Sequence, residues 1–140
     1  MTINEKQTRI IEDFAVFDDW MDKYQYLVDL GSALEAMSPE EMTDANLIEG
    51  CQSKVWLAAH YADGRIIYHA QSDAVIVKGI VSLLVEVLSG ATVDEILDVD
   101  LYFIDKIGLK DHLSPTRSNG LVAMVKQMRI YALAFKTKYQ

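Results

Sequence analysis

Hydrophobic residues recur at helical intervals toward both ends of the chain, whereas in the middle they alternate with polar residues. A capping box that begins at Thr2 precedes the first apolar series and predicts a helix near 3–16. Asp18 and Asp19 precede a second series, which predicts another helix, and Gly31 is expected to end or kink it. The chain therefore begins with two predicted helices.

Residues 54–72 show the alternation that predicts a β-hairpin. Asp63-Gly64 at its centre is favoured in a two-residue type I′ turn, because both central residues need a positive φ. The turn sets a register in which three apolar pairs lie opposite each other: Tyr61–Ile66, Ala59–Tyr68 and Leu57–Ala70. The other face carries a mixed set of side chains that suits partial exposure: Trp56, His60, Arg65, Ile67, His69 and Gln71.

Residues 75–88 are rich in β-branched residues, but their polar positions recur every four residues. The segment is also long for a strand. Both observations favour a helix that is buried on most sides, with Ser72 or Asp73 as its N-cap and Gly90 at its end.

Three further helices are predicted toward the C-terminus. A capping box at Thr92 begins a short helix, and residues 100–108 form another. The last helix begins near Ser114-Pro115, where proline takes its favoured first position. The whole pattern predicts an α+β fold, with helices packed around a small antiparallel β-sheet in a single domain that spans 1–140.

The composition agrees with a single domain and limits the cellular location and the binding partners that we expect. The chain has 140 residues, of which 51% are hydrophobic, enough for one core. No uncharged apolar run is long enough for a membrane span, and Glu5, Glu12 and Asp13 stand where a secretory signal needs an apolar segment. The net charge of −8 argues against nucleic acid, because phosphate contacts need clustered Lys and Arg. We therefore expect a cytoplasmic protein that binds neither membrane nor nucleic acid.

A single cysteine, Cys51, limits the available chemistry. It cannot form an internal disulfide, which fits a reducing compartment. It also excludes a zinc site made of cysteines and a cysteine-ligated cluster built by one chain. The three histidines, His60, His69 and His112, show no metal-ligand spacing along the chain. The sequence thus predicts no bound metal and no cofactor.

Cys51 lies between Gly50 and the polar pair Gln52-Ser53, a composition typical of a turn that leads into the hairpin. A thiol in this position is either a working nucleophile or a small hydrophobic residue that packs. A Cys–His hydrolase pair is disfavoured by distance. If the strand is extended, His60 lies about 30 Å from Cys51, and His69, on the paired strand, lies over about 20 Å from Cys51.

Arg117 falls in the first turn of the last predicted helix, where the helix dipole disfavours a cation. The placement is explained if its side chain faces a carboxylate, a thiolate or an anionic ligand, and a cation near a thiol lowers the pKa of that thiol. The alternative is a solvated surface arginine. Asp73 is by default only a helix N-cap.

Three segments, in order along the chain, resemble the motifs of one protein family, the SufE family of sulfur-acceptor proteins. Glu49–Leu57 resembles the cysteine-loop motif of that family. Ser72–Gly79 is similar to its next motif, and Leu113–Leu121 is similar to its third. The resemblance implies an α+β fold and, as in many members of the family, self-association as a homodimer.

The resemblance also implies a partner, a pyridoxal-phosphate-dependent cysteine desulfurase that makes a persulfide on its own cysteine. Cys51 matches the acceptor thiol, which takes the sulfane sulfur and passes it to an iron–sulfur scaffold or another acceptor. Asp73 and Arg117 match family positions associated with the cysteine loop and with desulfurase activation. The protein is then a sulfur-transfer partner that activates the desulfurase, rather than an enzyme by itself.

Three alternatives stay open at the level of sequence. An iron–sulfur scaffold needs several thiolate or imidazole ligands. A stand-alone thiol enzyme, such as a peroxidase or hydrolase, needs a base that the sequence does not reveal. In a non-catalytic interaction module, Cys51 would only pack. Under the sulfur-acceptor hypothesis, Cys51 rests against apolar residues and extends when the partner docks.

Overall fold

Six α-helices and one antiparallel β-hairpin make up the fold in a computed structural model, which describes residues 1–140. In chain order the elements are α1 Ile3–Ala15, α2 Trp20–Ser32, β1 Val55–Ala62, β2 Arg65–Ser72, α3 Val75–Leu88, α4 Val93–Asp98, α5 Phe103–Lys106 and α6 Pro115–Tyr139. Two short 3₁₀ turns lie in the connections, at Asp44–Asn46 and Lys110–His112. The predicted α+β architecture is confirmed. No helix is both long and apolar enough to cross a membrane.

The β-hairpin has the predicted register. Tyr61 pairs with Ile66, and the other two predicted apolar pairs are also present. At the turn, Asp63 has a φ of 52° and Gly64 a φ of 79°, so both central residues adopt the positive φ that a type I′ turn requires. The apolar face packs on the core, and the Tyr68 hydroxyl donates a hydrogen bond of 2.7 Å to the carbonyl of Met128 in α6. The hairpin is thereby joined to the last helix.

Helix α3 is the central element of the core, because it packs against α1, α2, α6 and the hairpin. Its N-cap differs from the prediction. Ala74 occupies the cap without a side-chain hydrogen bond, so the assignment of Ser72 or Asp73 to that position was wrong. The chain is still paired to β1 at these residues. The Ser72 hydroxyl donates to the carbonyl of Lys54 at 2.8 Å, and an Asp73 carboxylate oxygen accepts from the Lys54 N–H at 3.1 Å.

Helices α2 and α3 approach each other closely where both carry glycine. A Cβ atom at Gly79 would lie 2.2 Å from the carbonyl oxygen of Leu27, and one at Gly31 would lie 2.8 Å from the amide nitrogen of Gly79. Gly31 lies in the last turn of α2, near the predicted end. Its role there is this close packing of backbones, which sequence periodicity did not reveal.

Helix ends follow the sequence signals at several places. Both predicted capping boxes, at Thr2 and Thr92, have their two reciprocal hydrogen bonds. The Ser114 hydroxyl accepts from the N–H of Arg117 and caps α6, with Pro115 at the first helical position. The helix predicted over 100–108 is shorter than expected, since α5 has only four residues.

We expect Gly79→Ala to lower the free energy of unfolding by about 1–3 kcal/mol, because the new methyl group forces α2 and α3 apart. In an open helix the same substitution stabilises by up to about 1 kcal/mol, so the sign of the change reports the close approach. The measurement is urea unfolding followed by circular dichroism. Val75→Ala, on the exposed start of α3, is the control and is expected to change stability by less than about 0.5 kcal/mol. A Gly79→Ala protein as stable as the original would contradict the packing described.

Candidate functional site

Residues 49–54, called here the cysteine loop, connect an isolated bridge to the start of β1. The loop is closed at its base by the Leu47–Trp56 bridge, in which the N–H of Ile48 donates to the carbonyl of Val55 at 2.9 Å. Gly50 enters the loop with a φ of 91°, a conformation that favours glycine. The base is therefore fixed, whereas residues 49–53 make no backbone hydrogen bond to the rest of the fold.

The thiol of Cys51 is half-buried and packs against the core. It donates a hydrogen bond to the carbonyl oxygen of Gly120 in α6, with a sulfur–oxygen distance of 3.6 Å. Burial raises the pKa of the Cys51 thiol, because the thiolate loses solvation there. At rest the site therefore favours the protonated thiol, which is the less reactive form.

Cys51 and Arg117 line the same cavity, which has a volume of about 380 Å³. Its walls come from the cysteine loop, α3 and the start of α6: Cys51, Gln52, Ser53, Val77, Ser114, Thr116, Arg117, Gly120 and Met124. Arg117 is the only charged residue in this set. The structure thus brings together the two residues that the sequence suggested as a pair.

Arg117 makes no hydrogen bond with the thiol in this arrangement. The residue is exposed, and its guanidinium group makes no hydrogen bond or ion pair within the chain. Burial is the cause of the raised pKa of Cys51. The cation is therefore free to bind an anion that enters the cavity, and its position at the start of α6 is not explained by an internal partner.

Asp73 lies outside this cavity. Its carboxylate accepts from the N–H of Lys54, the last residue of the cysteine loop, and its own N–H donates to the carbonyl of Lys54 at 3.3 Å. These bonds hold the base of the loop against the end of β2. The structure separates Asp73 from the thiol and gives it contact with the loop that carries the thiol.

Val77, Gly120 and Met124 were not predicted from the sequence as residues of the site. All three line the cavity, and Gly120 supplies the carbonyl that binds the thiol. A signal for two of them was present. Arg117, Gly120 and Met124 are spaced by three and four residues along α6 and so lie on one face of that helix.

A larger groove, of about 630 Å³, lies between α6 and the segment that holds α4 and α5. Its lining is mostly aliphatic and contains no cysteine or histidine. Volume alone would favour this groove as the functional site. The smaller cavity holds the only thiol in the chain, so we place the candidate chemistry there.

The family model and the similar proteins all point to the same protein family. The family model of SufE, described as an Fe-S metabolism associated domain, matches residues 8–132. An uncharacterized SufE-like protein of Rhizobium meliloti is 39% identical over 126 residues, which cover 86% of this chain and 90% of that protein. A SufE-like protein of Rhizobium etli is 41% identical over 126 residues, covering 86% and 85% of the two chains. A SufE-like protein of Synechocystis is 37% identical over 135 residues, covering 96% and 85%.

The fold is similar to that of solved structures. The solution structure of a hypothetical protein from Thermus thermophilus has a TM-score of 0.77 over 94% of this chain and 96% of that one. The two sequences are 22% identical. This similarity confirms the α+β fold.

We expect the pH midpoint for alkylation of Cys51 by iodoacetamide to be higher in the folded protein than in the same protein unfolded in guanidinium chloride. The pKa is raised by burial, so at a given pH the folded chain holds less thiolate, and the rate climbs only as the pH rises through that pKa. The midpoint reports the pKa, and the rate at high pH reports access to the thiol. Cys51→Ser is the control for reaction elsewhere. A folded midpoint at or below the unfolded one would show that a cation, rather than burial, dominates.

Proposed function

The chain belongs to the SufE family, and from this premise we propose that it is a sulfur acceptor and activator of a pyridoxal-phosphate-dependent cysteine desulfurase. Family membership connects the chain with Fe–S metabolism. In the proposal, Cys51 receives sulfane sulfur and passes it on for iron–sulfur cluster assembly. The observation that carries the proposal is a lone thiol on a loop whose base is anchored and whose tip is held by one weak hydrogen bond.

The proposed reaction needs one thiol and no internal base. The Cys51 thiolate attacks the outer sulfur of the partner's persulfide, and a new S–S bond forms as the S–S bond in the partner breaks. The partner's cysteine leaves as a thiolate, which takes up the equivalent of the proton that Cys51 lost. Sulfane sulfur moves from one thiol to the other, so no external oxidant or reductant is consumed. With no second cysteine in the chain, the new persulfide cannot be resolved into an internal disulfide.

The resting geometry explains why a partner is required. The thiol points to Gly120, is half-buried and has a raised pKa, so it is protected from attack by small molecules. Extension of the tip costs one weak sulfur hydrogen bond and the packing of the half-buried Cys51 against the core, whereas the bonds of Lys54 with Asp73 can remain in place. In this proposal Asp73 is a positioning residue that keeps the base of the loop fixed while Cys51 moves into the partner.

Arg117 has a different part in the proposal. Arg117 lines the same cavity as Cys51, and its guanidinium group has no partner in the chain. A thiolate or a persulfide anion that forms at Cys51 is stabilised by a nearby cation. In the proposal Arg117 acts only after the anion has formed. The pKa of the resting Cys51 thiol can therefore stay raised although Arg117 lines the same cavity.

The two chemical alternatives gain no support from the cavity. Its lining has one cysteine and no histidine or carboxylate, so it provides neither the ligand set of a cluster scaffold nor the base of a thiol hydrolase. The cytoplasmic location, the homodimer and the transfer of sulfur to an iron–sulfur scaffold or another acceptor stay predictions.

Incubation with a cysteine desulfurase and cysteine is expected to add one sulfur atom, about 32 Da, to the intact chain by the exchange reaction described. The measurement is intact mass under non-reducing conditions. Cys51→Ser is the matched control and is expected to gain nothing. A gain that survives in Cys51→Ser, or no gain in either protein, would rule out Cys51 as the acceptor.

We expect Arg117→Ala to slow the transfer of sulfur to Cys51 by at least about tenfold at saturating desulfurase, which equals the loss of one charge-assisted hydrogen bond of roughly 1.5 kcal/mol. Arg117→Lys is expected to retain part of the rate, because it keeps the charge. Lys126→Ala removes a positive charge from the same helix outside the cavity and is expected to leave the rate unchanged. Equal rates for Arg117→Ala and the unmodified protein would refute the proposed role.

A further inference from the structure

Two histidines and one glutamate meet on the outer face of the hairpin, and none of them lines the cavity at Cys51. The Nε2 atom of His60 lies 2.7 Å from one carboxylate oxygen of Glu41, and the Nδ1 atom of His69 lies 3.0 Å from the other. One ligand atom from each of the three residues falls within 4.8 Å of the other two. The three side chains thus point at a common space.

The hairpin register brings the histidines together. His60 pairs with Ile67 and His69 pairs with Ala58, so the two histidines are diagonal neighbours on one face, with ring centroids 4.9 Å apart. Glu41 arrives from the connection between α2 and β1. Its carbonyl accepts a hydrogen bond of 2.8 Å from the side-chain amide of Asn46, which fixes the backbone of that connection.

The Glu41 carboxylate lies within hydrogen-bond distance of both histidine rings. A carboxylate can only accept, so each ring presents an N–H to it. A neutral imidazole can carry its proton on either ring nitrogen. If each proton moves to the other nitrogen of its ring, the nitrogen that faces Glu41 can bind a cation.

We propose that Glu41, His60 and His69 form a binding site for a divalent transition metal, with Zn²⁺ as the ion that fits best. Two imidazole nitrogens and one carboxylate oxygen are common zinc ligands, at about 2.0–2.2 Å from the ion, whereas Ca²⁺ and Mg²⁺ prefer ligand sets made of oxygen alone. A tetrahedral ion with those bond lengths sets its ligand atoms roughly 3.3–3.5 Å apart. The three side chains reach that arrangement by shifts on the order of 1 Å.

The site is accessible and has room for a further ligand. The side chains of His60, His69 and Glu41 are 55%, 38% and 20% exposed, so water can complete the coordination. A bound ion would fasten the connection that carries Glu41 to the hairpin. That connection leads to Leu47, which already pairs with Trp56, so the ion would attach the connection to the hairpin at a second point.

Calorimetric titration with ZnCl₂ tests the proposal, in full-length protein that carries Cys51→Ser so that the thiol cannot bind the ion. We expect one Zn²⁺ per chain, and we expect His60→Ala, His69→Ala and Glu41→Gln each to weaken binding by about 10–100-fold. Glu40→Gln is the matched control, an exposed carboxylate at the adjacent position, and is expected to leave the affinity unchanged. Absence of saturable binding would overturn the proposal, as would equal effects of Glu41→Gln and Glu40→Gln.

A second measurement does not depend on how well the variants fold. In the Cys51→Ser protein, ZnCl₂ is expected to shift the imidazole NMR signals of His60 and His69 and to leave those of His112 in place. His112 is a suitable internal reference, because it stacks on Trp20 and its Nδ1 atom lies 3.0 Å from the carbonyl oxygen of Gly108, away from the cluster. Shifts at His112 equal to those at the other two histidines, or no shift at any of them, would show that the cluster is only a hydrogen-bonded contact.

Discussion

Because β1 and β2 pair about Asp63-Gly64 in a single register, alternate side chains of the hairpin face either the core or the outer surface. A shift by one residue would move Leu57 and Tyr68 out of the core and bring residues of the mixed outer face into their places. The same pairing brings the last residue of the cysteine loop beside the end of β2. It also sets His60 and His69 side by side on the outer face. The packed core, the anchored loop and the histidine pair are therefore three consequences of one register.

The thiol at the tip of the cysteine loop meets two opposing requirements under the proposed function. It has to be protected at rest, and burial with a raised pKa protects it from oxidation and adventitious reaction. It also has to react once a partner is bound, which requires solvation and a cation near the anion. The division of the loop into a hydrogen-bonded base and a weakly held tip allows both, since the tip moves at little cost while the base keeps its place. Arg117 adds the cation at the cavity without altering the resting thiol.

Predictions from the sequence were accurate where the signal lies within one element or across one tight turn. The capping boxes at Thr2 and Thr92, the start of α6 at Ser114-Pro115 and the Asp63-Gly64 turn were all confirmed, because each depends on residues a few positions apart. The predicted N-cap of α3 was wrong because of contacts made outside that helix. Ser72 and Asp73 are good cap residues, but their side chains bind Lys54 on the neighbouring strand instead.

By itself, the sequence determined the helices, the hairpin register, the single cysteine and the family to which the chain belongs. The tertiary structure alone decided that Arg117 shares a cavity with Cys51, and that Asp73 binds the loop instead of the thiol. It also decided that Glu41 joins the two histidines, whose spacing along the chain had suggested no metal site. The physical reason is distance along the chain. Periodicity and turn chemistry act between near neighbours, whereas these contacts depend on how separate elements pack.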